Sequence, residues 1–123
     1  MRITKIESIL SSFHRNYLTV KITTDKGITG YGDATLNGRE LAVRSVIDDY
    51  LSDFLQGRDA GRIEDIWQMI FRGTYWRSGP VMMTALAGID MALWDIKGKE
   101  AKGMEILKFH RNLDSVYKLM RKV

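Results

Sequence analysis

The sequence predicts an α+β domain: a three-stranded antiparallel meander followed by a bundle of three to four helices. Three observations carry this. Apolar and polar residues alternate in the first part of the chain, the period of a half-buried strand. Beyond residue 40 the apolar residues recur at three- and four-residue steps, the period of a helix face. Turn and cap residues stand between these segments: Gly27 between strands, Gly57 and Pro80 between helices.

Residues 2–12 are rich in isoleucine, with Ser and Thr interspersed, and suit a strand. In "NYLTVKIT", Leu18, Val20 and Ile22 point one way while Thr19, Lys21 and Thr23 point the other. "SSFHRN" (11–16) reads as a polar, exposed connection between these two strands. "TDKG" supplies the next turn, with Gly27 free to take positive φ. "ITGYGD" (28–33) is the return strand, and its glycines allow close approach of a neighbouring element.

The first helix is read from Val43, Val46, Ile47, Tyr50, Leu51, Phe54 and Leu55, which form one apolar face, with Gly57 as a left-handed cap. A second fits residues 60–72, where Ile63, Ile66, Trp67, Ile70 and Phe71 make the stripe and Asp59 suits the N-cap. "RGTYWRSG" breaks that pattern. Pro80 then opens a third helix, "VMMTALAGIDMALWDI", apolar nearly all round and therefore central.

At 123 residues the chain makes one domain. No apolar run reaches the ~18 residues of a membrane span, and the N-terminal residues lack the pattern of an export signal. The expected location is the cytoplasm. With no cysteine, disulfides, thiolate nucleophiles and thiolate metal sites are excluded. The net charge of +4 lies in the tail: residues 1–96 carry 11 basic and 12 acidic residues, net −1, and residues 97–123 carry 8 and 3, net +5. A basic tail can attract phosphates, but a solvated helix accounts for it, so nucleic acid is not an expected partner.

His14 and His110 have no acidic or histidine neighbour at ligand spacing, so no metal site and no catalytic residue is assigned. Asp95 and Lys99 are four apart, an ion pair along one helix. Asp90, on the same helix, has no evident local partner. Asn37 has two uses that stay open: an N-cap, forming with Glu40 a pattern close to a capping box, or an amide offered to a substrate hydroxyl or carboxylate. Trp76 and Arg77 stand in an irregular stretch, where they could close over an anionic ligand or simply pack. "GYGDA" lacks the lysine of a phosphate loop.

Three blocks add a resemblance: "TTDKGITGYGDATLNGRELAV", "GRDAGRIEDIWQMIFRGTYWRSGPV" and "AGIDMALWDIKGKEAKGM". Together they resemble the N-terminal part of bacterial mannonate dehydratases, acid-sugar dehydratases of the enolase superfamily, some of which carry the label starvation-sensing protein. The likeness runs from residue 1 to about 104. It implies an N-terminal capping domain (residues 1–104) that in the family precedes a C-terminal barrel, here absent. It also implies a Mg²⁺ held by that barrel, and a β-elimination of water that gives a 2-keto-3-deoxy sugar acid. By the same resemblance Asn37 matches a substrate-contacting asparagine, Trp76 and Arg77 match a motif without an assigned contact, and 11–16 matches the position of a flexible lid.

Residues 105–123 depart from the family pattern. Glu105 replaces a proline, and Ile106, Leu107, His110, Leu113, Val116, Tyr117 and Met120 fall near helical spacing, so a divergent, basic, helical tail is expected. A barrel needs about 250 residues, so this chain by itself is expected to be inactive and to meet a sugar acid only in the context of a barrel. The competing expectation is an interaction module that forms a homo-oligomer or docks on a partner.

Overall fold

The computed structural model describes residues 1–73 and 78–122; for residue 13 and residues 102–122 it describes the backbone alone. The elements are β1 (Ile3–Phe13), β2 (Arg15–Thr24), β3 (Thr29–Asp33), α1 (Glu40–Ser45), a π-helical turn (Val46–Leu51), α2 (Ser52–Leu55), α3 (Ile63–Gly73) and α4 (Pro80–Lys122). The strands form one antiparallel sheet in the order β1-β2-β3. Among the described residues no helix is long and apolar enough to cross a membrane.

The alternation of β2 places Leu18, Val20 and Ile22 fully inside. Their partners on the same face are Ile6, opposite Ile22, Gly30, also opposite Ile22, and Gly32, opposite Val20. The helices cover this face, and one continuous core joins it to Val43, Ile47, Leu51, Leu55, Ile66, Ile70, Ile89, Leu93 and Ile96. Burying each such side chain contributes about 1.5–3 kcal/mol before ordering costs.

Three boundaries differ from the sequence reading. First, the expected connection 11–16 is strand, with Ser11 opposite Tyr17, Ser12 opposite Asn16 and Phe13 opposite Arg15. Only His14 stands outside the ladder, at φ +61°. Polar composition signalled exposure there, and 14–17 are exposed, but an exposed hairpin end can still complete its ladder.

Second, the first helix is not wound uniformly. A four-residue step advances about 40° around an α-helix, so a stripe spaced by fours drifts off the core. The wider π turn takes the drift back and holds Val43, Ile47, Leu51 and Leu55 inside. The residues one place earlier are turned outward: Tyr50 is 69% exposed and Phe54 38%, although both were assigned to the apolar face. Gly57 does take a left-handed φ, +86°, but within a turn in which the Arg58 amide donates to the Leu55 carbonyl at 3.1 Å and Gly57 N–H bonds Ile3 O at 2.8 Å. This ties the helix end to β1.

Third, the second helix begins at Ile63, and Asp59 does not cap it. The Asp59 carboxylate accepts from Gly61 N–H at 2.9 Å and its carbonyl from Arg62 N–H at 3.2 Å, closing a turn before the helix. The Gly61 bond outweighs the opposing effect of burial and, with smaller contributions from nearby positive charges, holds the Asp59 carboxyl below its ordinary value. Helix α4 opens as expected, with Pro80 first and the Gly79 carbonyl accepting from Met83 N–H at 3.0 Å. Its backbone runs on through Lys122 without a break at residue 105.

Helix α4 lies very close to β3. A Cβ on Gly32 would overlap the carbonyl oxygen of Gly88, and one on Gly30 would overlap that of Ala92 and stand 2.6 Å from Ile96 Cγ1. Gly88 is confined as well: a Cβ there would stand 2.8 Å from the Ala34 Cβ. The glycines of "ITGYGD" are there so that a helix backbone can lie directly on a strand.

That seam is locked by Asp95 and Lys99. Lys99 Nζ lies 3.1 Å from Asp95 Oδ2, with side-chain exposures of 6% and 14%. Both also reach across to β3: Tyr31 N–H donates to Asp95 Oδ2 at 3.0 Å, and Lys99 donates to the Thr29 carbonyl at 2.6 Å. The ammonium also stands 5.4 Å from the centre of the Tyr31 ring. The spacing of four residues announced the pair; its docking on a strand more than sixty residues away was not announced.

Candidate functional site

The site candidates lie at the end of the sheet where the β1–β2 hairpin meets the chain leaving β3. Asp33 begins that exit. Its Oδ1 accepts from the Thr35 hydroxyl at 2.6 Å and the Thr35 amide at 3.2 Å. The same hydroxyl oxygen accepts from Leu18 N–H at 2.9 Å, and Ala34 N–H bonds Leu18 O at 2.8 Å. Residues 33–35 are thus fastened to β2.

A tight turn follows. Arg39 N–H donates to Leu36 O at 3.0 Å, and Gly38, third in the turn, has φ +82°, the position a type II turn reserves for glycine. Asn37 is second in this turn and exposed. It is therefore not the N-cap it resembled in sequence; Arg39 occupies that place, without a side-chain cap bond. Glu40 Oε1 accepts from the Gly38 amide at 3.1 Å, one residue ahead of the cap position, so the expected capping box does not form. Released from capping, the Asn37 side chain points to the hairpin, where its Oδ1 accepts from Arg15 Nη2 at 3.1 Å. The Arg15 guanidinium also lies over the Tyr17 ring, 5.0 Å from its centre.

Sequence reasoning missed Arg15, yet a signal existed. Every β2–β3 partnership, from Thr23 with Thr29 to Thr19 with Asp33, keeps one register. Continued past the last ladder pair, that register sets position 15 opposite position 37. Trp76 and Arg77, the other two candidates, lie outside the described residues. His14 is exposed at the hairpin tip.

Among the described residues no group of three His, Cys, Asp or Glu converges to hold a metal ion. These residues do not fit a magnesium centre. A groove of about 780 Å³ lies elsewhere: Arg2, Arg58, Arg62 and Arg72 line it, with Asp59 and Asp65 among them. It does not include Asn37.

The Asp90 carboxyl is held above its ordinary value. Burial raises it, and a hydrogen bond from the Trp94 side chain opposes the shift. Its sign is fixed by linkage. A carboxyl with a raised folded-state pKa binds protons more readily in the native state, so stability falls as pH rises from the ordinary value of 3.8 through the folded one. Asp90→Asn, which keeps an acceptor for Trp94, should raise Tm at pH 7. The gain should shrink as pH falls towards 4; a gain that does not vary with pH in thermal melts would contradict this account.

Residues 5–108 match the family model described as mandelate racemase / muconate lactonizing enzyme, N-terminal domain. Over 101 residues the chain is 60% identical to a D-mannonate dehydratase of Caulobacter vibrioides, covering 82% of this chain and 25% of that protein. It is 56% identical over 101 residues to a D-galactonate dehydratase family member of Chromohalobacter salexigens, covering 82% of this chain and 25% of that one. Among solved structures, an enolase from Pantoea ananatis with bound D-gluconate and magnesium superposes with TM-score 0.79 at 53% identity, over 81% of this chain and 25% of that one. An enolase superfamily member from Salmonella Typhimurium gives 0.75 at 36%, over 80% and 26%. The chain thus spans about a quarter of the length of the relatives it matches. With the meander, the helices on one face and the α4–β3 seam in place, the chain belongs to the mandelate racemase / muconate lactonizing enzyme N-terminal domain family of the enolase superfamily.

Proposed function

We propose that this chain is the substrate-capping part of a Mg²⁺-dependent sugar-acid dehydratase of the D-mannonate or D-gluconate type. In that reaction the proton beside the carboxylate is removed and water leaves from the neighbouring carbon, giving a 2-keto-3-deoxy acid. The observation that carries the reading is the 60% identity to a D-mannonate dehydratase. The exposed Asn37 amide at the hairpin end supports it, as does the neighbour that binds D-gluconate and magnesium. In this reading residues 1–104 cap the substrate, Asn37 contacts a substrate oxygen, and a barrel holds the metal and the acid and base groups.

The 123-residue polypeptide, given Mg²⁺ and D-mannonate or D-gluconate, should form no keto-deoxy product above a metal-only control. Residues 1–104 joined to the remaining three quarters of the Caulobacter vibrioides relative should restore product formation. A folded fusion without turnover, or turnover by the short chain alone, overturns the reading.

A second reading, a self-associating module without a catalytic role, is favoured by an outward apolar stripe on α4. Met83, Met91 and Trp94 are 37%, 50% and 49% exposed there. Light scattering on a concentrated sample separates the two, since a clean monomer counts against self-association.

A further inference from the structure

The hairpin end holds a residue whose chemistry constrains Asn37. An asparagine amide has an acceptor at one end and two donors at the other, while an arginine has donors only. Whichever end of Asn37 meets Arg15 must therefore be the carbonyl oxygen, as the contact from Arg15 Nη2 to Asn37 Oδ1 at 3.1 Å shows. With Oδ1 engaged by Arg15, the Nδ2 amide is turned away, and among the described residues neither of its protons has a partner. Arg15 is itself restrained, lying on Tyr17 at 5.0 Å and seated opposite Phe13 in the ladder. Neighbouring Asn16 accepts from the Ser12 hydroxyl at 2.8 Å, which ties the two hairpin strands together at the same place.

We propose that Arg15 is a positioning residue: it fixes the Asn37 side chain so that Nδ2 is presented as a donor. The ligand then meets Asn37 through the two Nδ2 donors, while Arg15 acts through Asn37. The ligand group it takes is one with lone pairs to give, a hydroxyl or carboxylate oxygen of a polyhydroxy acid. The role as a substrate subsite rests on the capping reading above; the fixing of Asn37 does not. Because 15 and 37 come from different segments, the pair also joins the hairpin to the loop after β3, so both present one surface to the ligand.

The experiment has two arms. In the ¹⁵N-labelled 123-residue chain, the Asn37 side-chain NH₂ resonances should be dispersed and ordered. Arg15→Met should move them to free-amide positions and loosen them, and Arg15→Lys, which keeps one donor in reach, should restore part of the effect. Both variants change an exposed side chain, and unchanged backbone amide spectra show that the fold is retained. Unaltered Asn37 resonances in Arg15→Met overturn the proposal. In the fusion enzyme, Arg15→Met should raise KM for D-mannonate about tenfold, the worth of one charge-assisted hydrogen bond, and with Asn37→Ala already present it should add little. Additive effects of the two substitutions also overturn it. If the resonances respond to Arg15 while Asn37→Ala leaves KM unchanged, the positioning stands and it is the capping assignment of Asn37 that fails.

Discussion

Gly32→Ala should destabilise the domain by about 3 kcal/mol or more, an effect at the upper end of what overpacking costs. The added carbon would overlap the Gly88 carbonyl oxygen, which belongs to the α4 backbone and not to a side chain that could rotate aside. Relief requires lifting α4 from β3, and that opens space around Ala92, Leu93 and Ile96, all at most 1% exposed. Small domains hold only about 5–15 kcal/mol in reserve, so the variant should melt more than about 12 °C below the parent. Gly98→Ala is the internal control. Gly98 is also in α4, but a Cβ there meets nothing within 4 Å. The same change should therefore stabilise, by roughly 0.5–1 kcal/mol from helix propensity alone. Opposite signs for the two substitutions are the expected result; a Gly32→Ala protein melting within a few degrees of the parent would show that the seam is looser than described.

Asp95→Ala should be the more damaging of the polar changes, at about 3–5 kcal/mol, the usual cost of breaking a buried pair by removing one partner. Lys99 would keep its ammonium inside with the Thr29 carbonyl and the Tyr31 ring for company, and Tyr31 N–H would lose this acceptor. The reason is the unpaired charge more than the lost attraction, and a double variant tests that. Adding Lys99→Met to Asp95→Ala removes the stranded charge and should regain much of the loss in urea unfolding. If the double variant is no better than the single one, the pair stabilises through attraction, and the desolvation account fails.

These two cases show what a linear sequence can and cannot announce. Alternation at Leu18, Val20 and Ile22 and the glycines of "ITGYGD" foretold a half-buried meander with a close neighbour, because strand periodicity and missing side chains are local properties. The pairing of Asp95 with Lys99 was legible for the same reason. Its bonds to Thr29 and Tyr31 were not, since nothing local sets the register of a helix on a strand. Tyr50 was misplaced because a uniform α-helical period was assumed where a π turn re-phases the stripe. Asn37 looked like a cap because Glu40 follows at the right distance, but Gly38 with its positive φ spends that spacing on a turn and hands the cap position to Arg39. As for the site, Asn37 was reached through resemblance, and Arg15 needed the β2–β3 register carried past its last pair. Trp76 and Arg77 fall outside the described residues.

The docking of α4 has a further consequence at the open border of the sheet. β3 has a strand neighbour on one side only, and alternate residues of such a border turn their amides and carbonyls outward, where another polypeptide could add a strand. Two of those groups, Tyr31 N–H and Thr29 C=O, are already taken by a carboxylate and an ammonium from one helix turn. Asp95 and Lys99 thereby imitate the hydrogen bonds of a fourth strand without being one, and guard the domain against growing into an aggregate from that side.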